Sequence, residues 1–514
     1  MRDRRDHNSS TVSRRTLLRA AGLGAAATAG LSLGGPLSAP AAAAAAATQL
    51  SRVDAAFIRR GLVHCAWVAQ SIDNRWQPSP QRFKDSGFTT PTFYDTPLWD
   101  SALLAGLPGY TWAAAKGPAG QHLNAQNPPD LTKPVLTADQ RTRTDDLFTM
   151  CFGDEENYSD QLVDWLVQLT AKLRQEAPDA LMHTNQYVNQ WNDTQIKNYM
   201  ARVGPDLLTY DEYNFSMRSS YAGGSVTGLY NSTSRYRRLA MGGNDQAFTS
   251  PIAFGQYTMG FRSGDAPSQE GGQYVVSESE QSIVSYVTWA LGGKWLNLFR
   301  WEKDAHPTSL LVRKDANSTP TVQAERYVTL NRRMKAFSPY LSRLHSKKAF
   351  IALGRNSGGY NTQPWLDVFT PSLDPDTRLS TISSENVGGA NGGLPGDVLV
   401  GTFRPIPDMS AAEAAGIFTD PATPVFMVVN GMAVPNTVKT DEHGTGGSSA
   451  DTAQNVILTF DLSDGSVRPD QLRMLNAATN QVVTPALTAK GNGTYELRKY
   501  MGGGTGELFW WQLG

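Results

Sequence analysis

Short apolar runs rich in β-branched and aromatic residues alternate with helical patterns through the first two thirds of the chain. The clearest helical pattern covers Ser159–Glu176, and further helices are predicted over Glu278–Leu291 and Val322–Leu344. The eight apolar runs are Leu62–Ala69, Thr89–Asp95, Thr111–Ala115, Phe148–Phe152, Ala180–Tyr187, Asp206–Tyr213, Pro251–Thr258 and Trp295–Trp301. Strands that alternate with helices form parallel βα units, and eight such units make a (β/α)8 TIM barrel. We therefore predict an α/β fold with a barrel over residues 48–346.

The pattern changes after Lys347, where helical periodicity nearly vanishes and Gly, Pro, Asn and Thr become frequent. The strand-like runs in this part are Ala349–Leu353, Leu366–Phe369, Val398–Phe403, Val425–Asn430, Val456–Leu462 and Glu507–Gln512. Short strands separated by turn residues, without helices, are typical of an antiparallel β-sandwich. We predict such a domain over residues 347–514.

The first 47 residues have the pattern of an export signal. Ser13-Arg14-Arg15-Thr16-Leu17-Leu18-Arg19 resembles a twin-arginine motif, and an Ala- and Gly-rich apolar run from Ala20 to about Leu33 follows it. The run is too short and too weakly apolar for a spanning helix, which needs about 20 strongly apolar residues. We predict a signal peptide over residues 1–47, secretion by the twin-arginine route and no membrane anchor.

The charge balance narrows the class of protein. The chain has 46 basic and 47 acidic residues, and removing residues 1–47, with six Arg and two Asp, leaves 40 and 45, a net charge of −5. A mildly acidic chain lacks the basic surface that nucleic-acid binding requires. Two cysteines exclude a disulfide scaffold, and Cys65 and Cys151, in separate apolar runs, are expected to be buried thiols. The oligomeric state is not indicated by the sequence.

Acidic residues follow two of the predicted strands. Asp154-Glu155-Glu156 follows the fourth strand, and Asp211-Glu212 ends the sixth. Active sites of these barrels lie at the carboxyl ends of the strands, so these side chains are expected to meet there.

Alternation along the strands predicts which acidic side chains face the barrel interior. On the fourth strand the small residues Thr149, Cys151 and Gly153 suit the interior, and continuing that parity points Glu155 into the mouth. The large residues Phe148, Met150 and Phe152 would then face the helices. On the sixth strand the same argument selects Asp211 and Tyr213. Parity often fails at a strand's last residue, so Glu212 remains a candidate.

Paired carboxylates at a barrel mouth suit cleavage of a glycosidic bond, in which one acid protonates the leaving oxygen and the other attacks carbon or activates water. We expect Glu155 to be the general acid and Asp211 or Glu212 its partner. Polar and aromatic residues at strand ends, whose rings suit sugar faces, are expected to bind substrate: Asp154, Trp67, Asp95, Tyr187, Tyr213, Gln256, Tyr257, Trp301 and Glu302. Each aromatic is equally consistent with core packing, and each acid with capping of the next helix.

Other chemistries find less support. No two of the seven histidines have metal-ligand spacing, and no G-x-S-x-G, G-x-G-x-x-G or phosphate-binding loop occurs in a suitable context. We therefore expect neither a metal nor another cofactor. A weaker alternative is an acidic metal-dependent lyase or hydrolase that uses Asp154, Glu155 and Asp211.

Three segments together resemble the clan A glycoside hydrolases, nearest the beta-galactosidase-like barrels. They are Phe152-Gly153-Asp154-Glu155-Glu156, Pro205-Asp206-Leu207-Leu208-Thr209-Tyr210-Asp211-Glu212-Tyr213 and Trp289-Ala290-Leu291-Gly292-Gly293-Lys294-Trp295-Leu296-Asn297-Leu298-Phe299-Arg300-Trp301. The resemblance covers roughly residues 60–345. It implies that Glu155 is the acid/base and that Asp154 replaces the usual Asn at the sugar 2-hydroxyl.

The chain departs from that family on the seventh predicted strand. The family carries its nucleophilic Glu at the end of this strand, where the present sequence has Gln256 and no carboxylate before Asp265. Either the strand count is wrong, or the second carboxylate comes from the sixth strand, or the barrel does not hydrolyse. The sequence thus predicts a secreted glycoside hydrolase acting on an extracellular poly- or oligosaccharide. Its alternative is a non-catalytic carbohydrate-binding barrel.

Overall fold

A computed structural model gives the fold of the chain. It describes residues 50–69, 78–93, 101–115, 128–215, 226–264, 273–301, 310–312, 319–356, 359–360, 366–436 and 447–513. The signal sequence predicted over residues 1–47 and the predicted site residues Asp95 and Glu302 lie outside these ranges. Among the described residues, no helix has the length and apolar character needed to cross a membrane.

Eight parallel strands close into a barrel, which confirms the predicted (β/α)8 fold. The strands are β1 (Val63–Ala69), β2 (Thr90–Phe93), β3 (Trp112–Ala115), β4 (Leu147–Asp154), β5 (Leu181–Tyr187), β6 (Leu207–Asp211), β7 (Ala253–Met259) and β8 (Trp295–Phe299). They pair in chain order, and β1 closes the ring by pairing with β8 from Val63↔Trp295 to Ala66↔Leu298. Each of the eight predicted apolar runs supplies one strand.

The described helices are α1 (Arg52–Arg60), α2 (Pro80–Ser86), α3 (Ser101–Ala105), α4 (Ala138–Arg141), α5 (Asp160–Glu176), α6 (Asp193–Val203), α7 (Thr227–Gly242), α8 (Glu278–Ala290), α9 (Val322–Leu341) and α10 (Ala411–Ala414). The Ser159 hydroxyl caps α5 by accepting a hydrogen bond from the Leu162 amide at 3.0 Å. Helix α1 precedes the first strand, and its Phe57 packs against Phe148 at the start of β4 with 5.4 Å between ring centroids. Helix α1 therefore closes the amino-terminal end of the barrel.

Two sheets follow the barrel and form the β-sandwich that the sequence predicts. The larger sheet has the strand order Asp367–Val368, Leu344–Ala352, Val398–Pro405, Val425–Asn430, Gly506–Trp511, Leu472–Asn476 and Gln481–Val483. The smaller sheet has the order Leu379–Asn386, Gln454–Asp461, Thr494–Met501 and Thr488–Gly491. The pairings are antiparallel except that of the edge strand Asp367–Val368. The strand Leu344–Ala352 spans residues 346 and 347, between which the sequence predicts the domain boundary.

The central strand Val425–Asn430 of the larger sheet is buried on both faces, as its continuously apolar sequence requires. Phe426 and Val428 face the smaller sheet, whereas Met427 and Val429 belong to the core shared with the barrel helices. The approach to the barrel is close at Gly401, where an added Cβ would lie 1.5 Å from the carbonyl oxygen of Ala290 on α8. Glycine at position 401 therefore allows the sandwich to pack on the barrel.

A buried charged cluster lies beside this junction. The Asp54 carboxylate accepts a hydrogen bond from His345 Nε2 at 2.8 Å and lies 3.9 Å from Lys294 Nζ. Burial alone would raise the pKa of Asp54, but the contacts with His345 and Lys294 outweigh it and lower the pKa. The cluster links α1 to the first sandwich strand. Both cysteines are buried free thiols, as predicted.

Candidate active site

An extra residue near the end of β4 shapes the carboxylate site. The pairing of β4 with β5 steps from Cys151↔His183 to Asp154↔Asn185, so three steps on β4 match two on β5. Such a β-bulge turns the following side chains relative to regular alternation. It brings Asp154 to the same side as Asn185.

Glu155 follows the bulge in an uncommon backbone conformation. Its φ is 60°, in the left-handed region that a non-glycine residue seldom adopts. Two hydrogen bonds to the Glu155 backbone fix this turn: its amide donates to the Asn185 carbonyl at 2.9 Å, and its carbonyl accepts from the Gln190 side-chain Nε2 at 2.7 Å. Strained residues of this kind are concentrated at functional sites.

The Asn185 side chain connects two of the acids. Its amide nitrogen donates to Asp211 Oδ1 at 2.7 Å and to Asp154 Oδ1 at 3.0 Å. Asn185 is only 2% exposed and Asp211 only 8%. Sequence reasoning did not select Asn185, although its parity with Leu181 and His183 on β5 points to the interior. The amide thus holds the carboxylates of β4 and β6 at a fixed separation.

Asp211 is the acid of the site whose protonation is most strongly perturbed. Burial and the neighbouring Glu155 carboxylate, which lies within hydrogen-bonding reach, raise the pKa of Asp211 to about 8, against the opposing hydrogen bond from Asn185. A carboxyl group with such a pKa is mostly protonated at neutral pH. The arrangement therefore provides a proton donor next to a second carboxylate, which is a typical basis for acid/base chemistry.

Glu212, one of the two residues that the sequence predicts as partner of Glu155, lies apart from the other acids. Its Oε2 accepts a hydrogen bond from the Ser232 hydroxyl on α7. Burial raises the pKa of Glu212, and the Ser232 bond opposes the shift. Regular alternation persists to the end of β6 and separates Asp211 from Glu212: the first faces the barrel and the second the helices.

Aromatic rings surround the acids on the β1, β7 and β8 side. Tyr213 lies edge-on to Phe261 at 4.8 Å and tilted to Phe299 at 6.2 Å. Trp67 lies edge-on to Phe299 at 5.2 Å and to Tyr257 at 6.1 Å. Burial and the charges of the site's acids raise the pKa values of Tyr213 and Tyr257, so both phenols are neutral. Phe261 was not predicted as a site residue because it lies beyond the end of β7, outside the pattern that predicts the strand.

Tyr187 differs from these packed rings because it is 48% exposed. It ends β5, and its residue position pairs with Asp211. An exposed ring beside the acids is available to a ligand.

Two residues predicted to bind substrate lie elsewhere. The Gln256 amide donates to Thr288 Oγ1 at 2.5 Å on α8, so this side chain faces the helices. Trp301 packs edge-on against Phe88 at 5.9 Å, in the core between barrel and helices. Both predictions assumed that nearness to a strand end brings a side chain into the mouth, whereas parity and the chain path turn these outward.

The position of Phe148 also differs from the prediction, which placed its side chain on the face towards the helices. It belongs to the core inside the barrel rather than to the layer that faces the helices. The pairing of β3 with β4 shifts between Trp112↔Leu147 and Ala113↔Thr149, which reverses alternation below that point.

Within the described parts of the chain, no group of three or more His, Cys, Asp or Glu side chains is arranged to hold a metal ion. The three acids of the site are instead connected by Asn185 and by the contact between Glu155 and Asp211.

Comparisons with known proteins find likeness only among solved structures. No protein-family model and no curated protein sequence matches the chain. An endo-beta-1,4-mannanase from Thermotoga petrophila is 8% identical, with 72% of this chain and 94% of the mannanase covered and a TM-score of 0.33. A beta-galactosidase from Marinomonas ef1 is 13% identical over 37% of this chain and 30% of its own, with a TM-score of 0.28. A beta-D-glucuronidase from Dictyoglomus thermophilum is 10% identical over 54% and 50%, with a TM-score of 0.31. At these TM-scores the likenesses assign no activity to this chain.

Proposed function

We propose that this protein is a secreted glycoside hydrolase that cleaves an extracellular poly- or oligosaccharide. The observation that carries the proposal is the contact between Glu155 and Asp211 at the carboxyl ends of β4 and β6, with the Asp211 pKa raised to about 8. Glycosidic cleavage requires one protonated and one ionised carboxyl group at neutral pH. A buried Asp211 with a raised pKa, beside the exposed carboxyl group of Glu155, meets this requirement.

The protonation favours the reverse of the roles that the sequence predicts. In this proposal Asp211, rather than Glu155, donates its proton to the leaving glycosidic oxygen as the bond from that oxygen to the anomeric carbon breaks. A carboxylate oxygen of Glu155 forms the new bond to that carbon. Water then cleaves the resulting ester, and the Asp211 carboxylate takes the proton that water loses.

The closeness of the pair favours retention of configuration. Inverting enzymes hold their carboxyl groups about 6.5–9.5 Å apart to admit a water molecule, whereas retaining enzymes hold them about 5–5.5 Å apart. The interaction between Glu155 and Asp211 favours the shorter of these two separations. We expect the first-formed product to keep the anomeric configuration of the substrate.

The surrounding side chains are proposed to hold the sugar. Asp154, fixed by Asn185, is placed to accept a hydrogen bond from a sugar hydroxyl, and the exposed Tyr187 ring offers a flat apolar surface. Tyr213 adds a half-buried ring near the acids. Tyr257 and Trp67, which the sequence predicts to bind substrate, are instead buried in the core inside the barrel and can only support the site from below its surface. We also propose that the chain is related to the clan A glycoside hydrolases and that its partner carboxylate lies on β6 instead of β7.

The test is hydrolysis of a broad panel of polysaccharides by the purified mature protein, with product anomers followed by NMR. We expect Asp211→Asn and Glu155→Gln each to lower kcat by at least about 100-fold, the usual worth of an acid/base or nucleophile. Glu212→Gln, one residue away and facing α7, is the matched control and should keep most activity. Full activity in Asp211→Asn would refute the assignment.

One feature favours a second candidate, a non-catalytic carbohydrate-binding barrel. The seventh strand, Ala253–Met259, carries no acidic residue. If no glycan in the panel is cleaved but some bind, and Tyr187→Ala weakens that binding, this candidate replaces the first.

A further inference from the structure

A cleft outside the barrel lies where the helices meet the sandwich. Its volume is about 560 Å³, within the usual range of about 300–1,000 Å³ for ligand sites. One wall consists of the amino-terminal halves of α8 and α9, and the other of residues 449–450 and 500–505. Helices of a (β/α)8 barrel begin near the carboxyl ends of the strands, so this junction cleft lies nearer to the end of the barrel that carries the carboxylate site.

The two walls of the junction cleft are fixed to each other by hydrogen bonds between side chains of α8 and the backbone of the sandwich. Glu278 Oε2 accepts a hydrogen bond from the Ser449 amide at 3.0 Å, and the Ser279 hydroxyl donates to the Gly447 carbonyl at 2.9 Å. Gly504 lies so close to α8 that an added Cβ would be 2.5 Å from the Ser279 carbonyl oxygen. The cleft is therefore preformed, which lowers the ordering cost of binding a ligand.

The charges that line the cleft cancel. Glu278 and Glu325 face Arg326 and Arg333, so neither an anionic nor a cationic ligand is favoured. The arginines are oriented by neighbours: Arg326 Nη1 donates to Gln323 Oε1 at 3.1 Å, and Arg333 is paired with the Tyr286 phenol. Planar guanidinium and carboxylate groups in such a set can donate to and accept from a polyhydroxyl ligand at once.

The remaining lining supplies hydroxyls and an aromatic rim. The hydroxyl groups belong to Ser282, Thr329, Ser449 and Thr505. Val322 and Leu330 add apolar surface, and the Tyr500 ring, 57% exposed, stands at the edge. A flat ring beside neutral donor and acceptor groups matches the apolar face and hydroxyl edge of a sugar ring.

We propose that the junction cleft is a second, non-catalytic binding site for a neutral oligosaccharide chain. It would hold the polymer on the same end of the molecule as the carboxylates, outside the barrel. The assignment follows from the lining of the cleft and does not depend on the chemistry at Asp211.

The test is native affinity electrophoresis of the mature protein in gels that contain galactomannan, xyloglucan, mixed-linkage β-glucan or arabinogalactan, with polygalacturonate as the anionic comparison. We expect retardation in at least one neutral gel. Tyr500→Ala, which removes the ring, and Thr329→Trp, which fills the cleft, should each weaken it about tenfold, the value of one good aromatic contact. Tyr360→Ala removes a ring that is 66% exposed and lies outside the cleft, and should change nothing.

Thermal unfolding of each variant separates loss of binding from loss of fold. Hydrolysis of a short soluble substrate should be the same in Tyr500→Ala as in the wild type. Absence of retardation in every neutral gel, retardation by polygalacturonate alone, or unchanged retardation in both cleft variants would overturn the proposal. Retardation that the cleft variants abolish, in a protein that cleaves no glycan, would support this site and refute the proposed activity.

Discussion

Replacement of Asn185 by Leu tests how the site controls the proton on Asp211. The Asn185 amide donates to Asp211 Oδ1 at 2.7 Å and thereby stabilises the ionised carboxylate. Its loss removes that stabilisation and leaves an apolar group beside the acid, and both effects raise the Asp211 pKa further. A hydrogen bond to a charged group is worth about 1.5–3 kcal/mol, and one pKa unit corresponds to about 1.4 kcal/mol. The shift should therefore be about one to two units.

The assay is the pH dependence of kcat/KM on a substrate identified in the hydrolysis panel. If Asp211 must be protonated, wild-type activity falls as the pH rises through about 8. In Asn185→Leu the alkaline limb should move to about pH 9–10, by the shift of one to two units derived above.

The control for disturbing β5 is Gln186→Leu, whose side chain donates to Thr184 Oγ1 and does not contact the acids. This variant should keep the alkaline limb of the wild-type pH profile of kcat/KM. A limb that stays in place in Asn185→Leu, or moves to lower pH, would show that Asp211 is not the proton donor or that the amide does not set its pKa.

Three further predictions concern packing, stability and export. Gly401→Ala should lower the free energy of unfolding by more than about 3 kcal/mol in urea titrations because the new methyl group meets backbone, whereas Gly109→Ala, with φ 79° but open space, should cost about 1 kcal/mol. Asp54→Asn should destabilise the protein by about 3 kcal/mol at pH 7 because it leaves a buried partner charge. Since the folded-state pKa of Asp54 is lowered, that difference should persist above about pH 4 and disappear as the pH falls through the folded value. The double variant Arg14→Lys, Arg15→Lys should not be exported and should remain inside the cells, which cell fractionation and immunoblotting would detect.

Strand periodicity was sufficient to predict the barrel because each parallel strand is buried on both faces and therefore stands out as an apolar run. The same signal located Val425–Asn430 with its observed bounds. It missed Leu379–Asn386 and Thr494–Met501, which belong to the smaller, outer sheet. These strands bury one face only and carry Ser, Thr, Glu and Lys on the other, so their apolar content resembles that of a loop.

The candidate site was harder to predict, because side-chain direction at a strand end depends on pairing register. Alternation directs Asp211 inward and Glu212 outward, and the structure places them so. The outward position of Gln256 follows from the same alternation, since its neighbour Tyr257 faces the interior, whereas the position of Trp301, beyond the end of β8, depends on the chain path and could not be predicted from the strand pattern. The sequence did not indicate a role for Asn185, because the pattern around a single Asn in a strand is the same whether or not its side chain bridges two acids.

The bulge in β4 explains why alternation alone could not describe this site. In a regular strand Asp154 and Glu155 would point to opposite faces, and only one could reach the mouth. The extra residue turns Asp154 to Asn185, and the φ of 60° at Glu155 lets the next carboxylate reach Asp211. Neighbouring residues thus supply two acids to one site, and the energetic cost of the strained turn is offset by the backbone hydrogen bonds around it. Because the pairing partner of the bulge is β5, the same strand that provides Asn185 also fixes where both acids point.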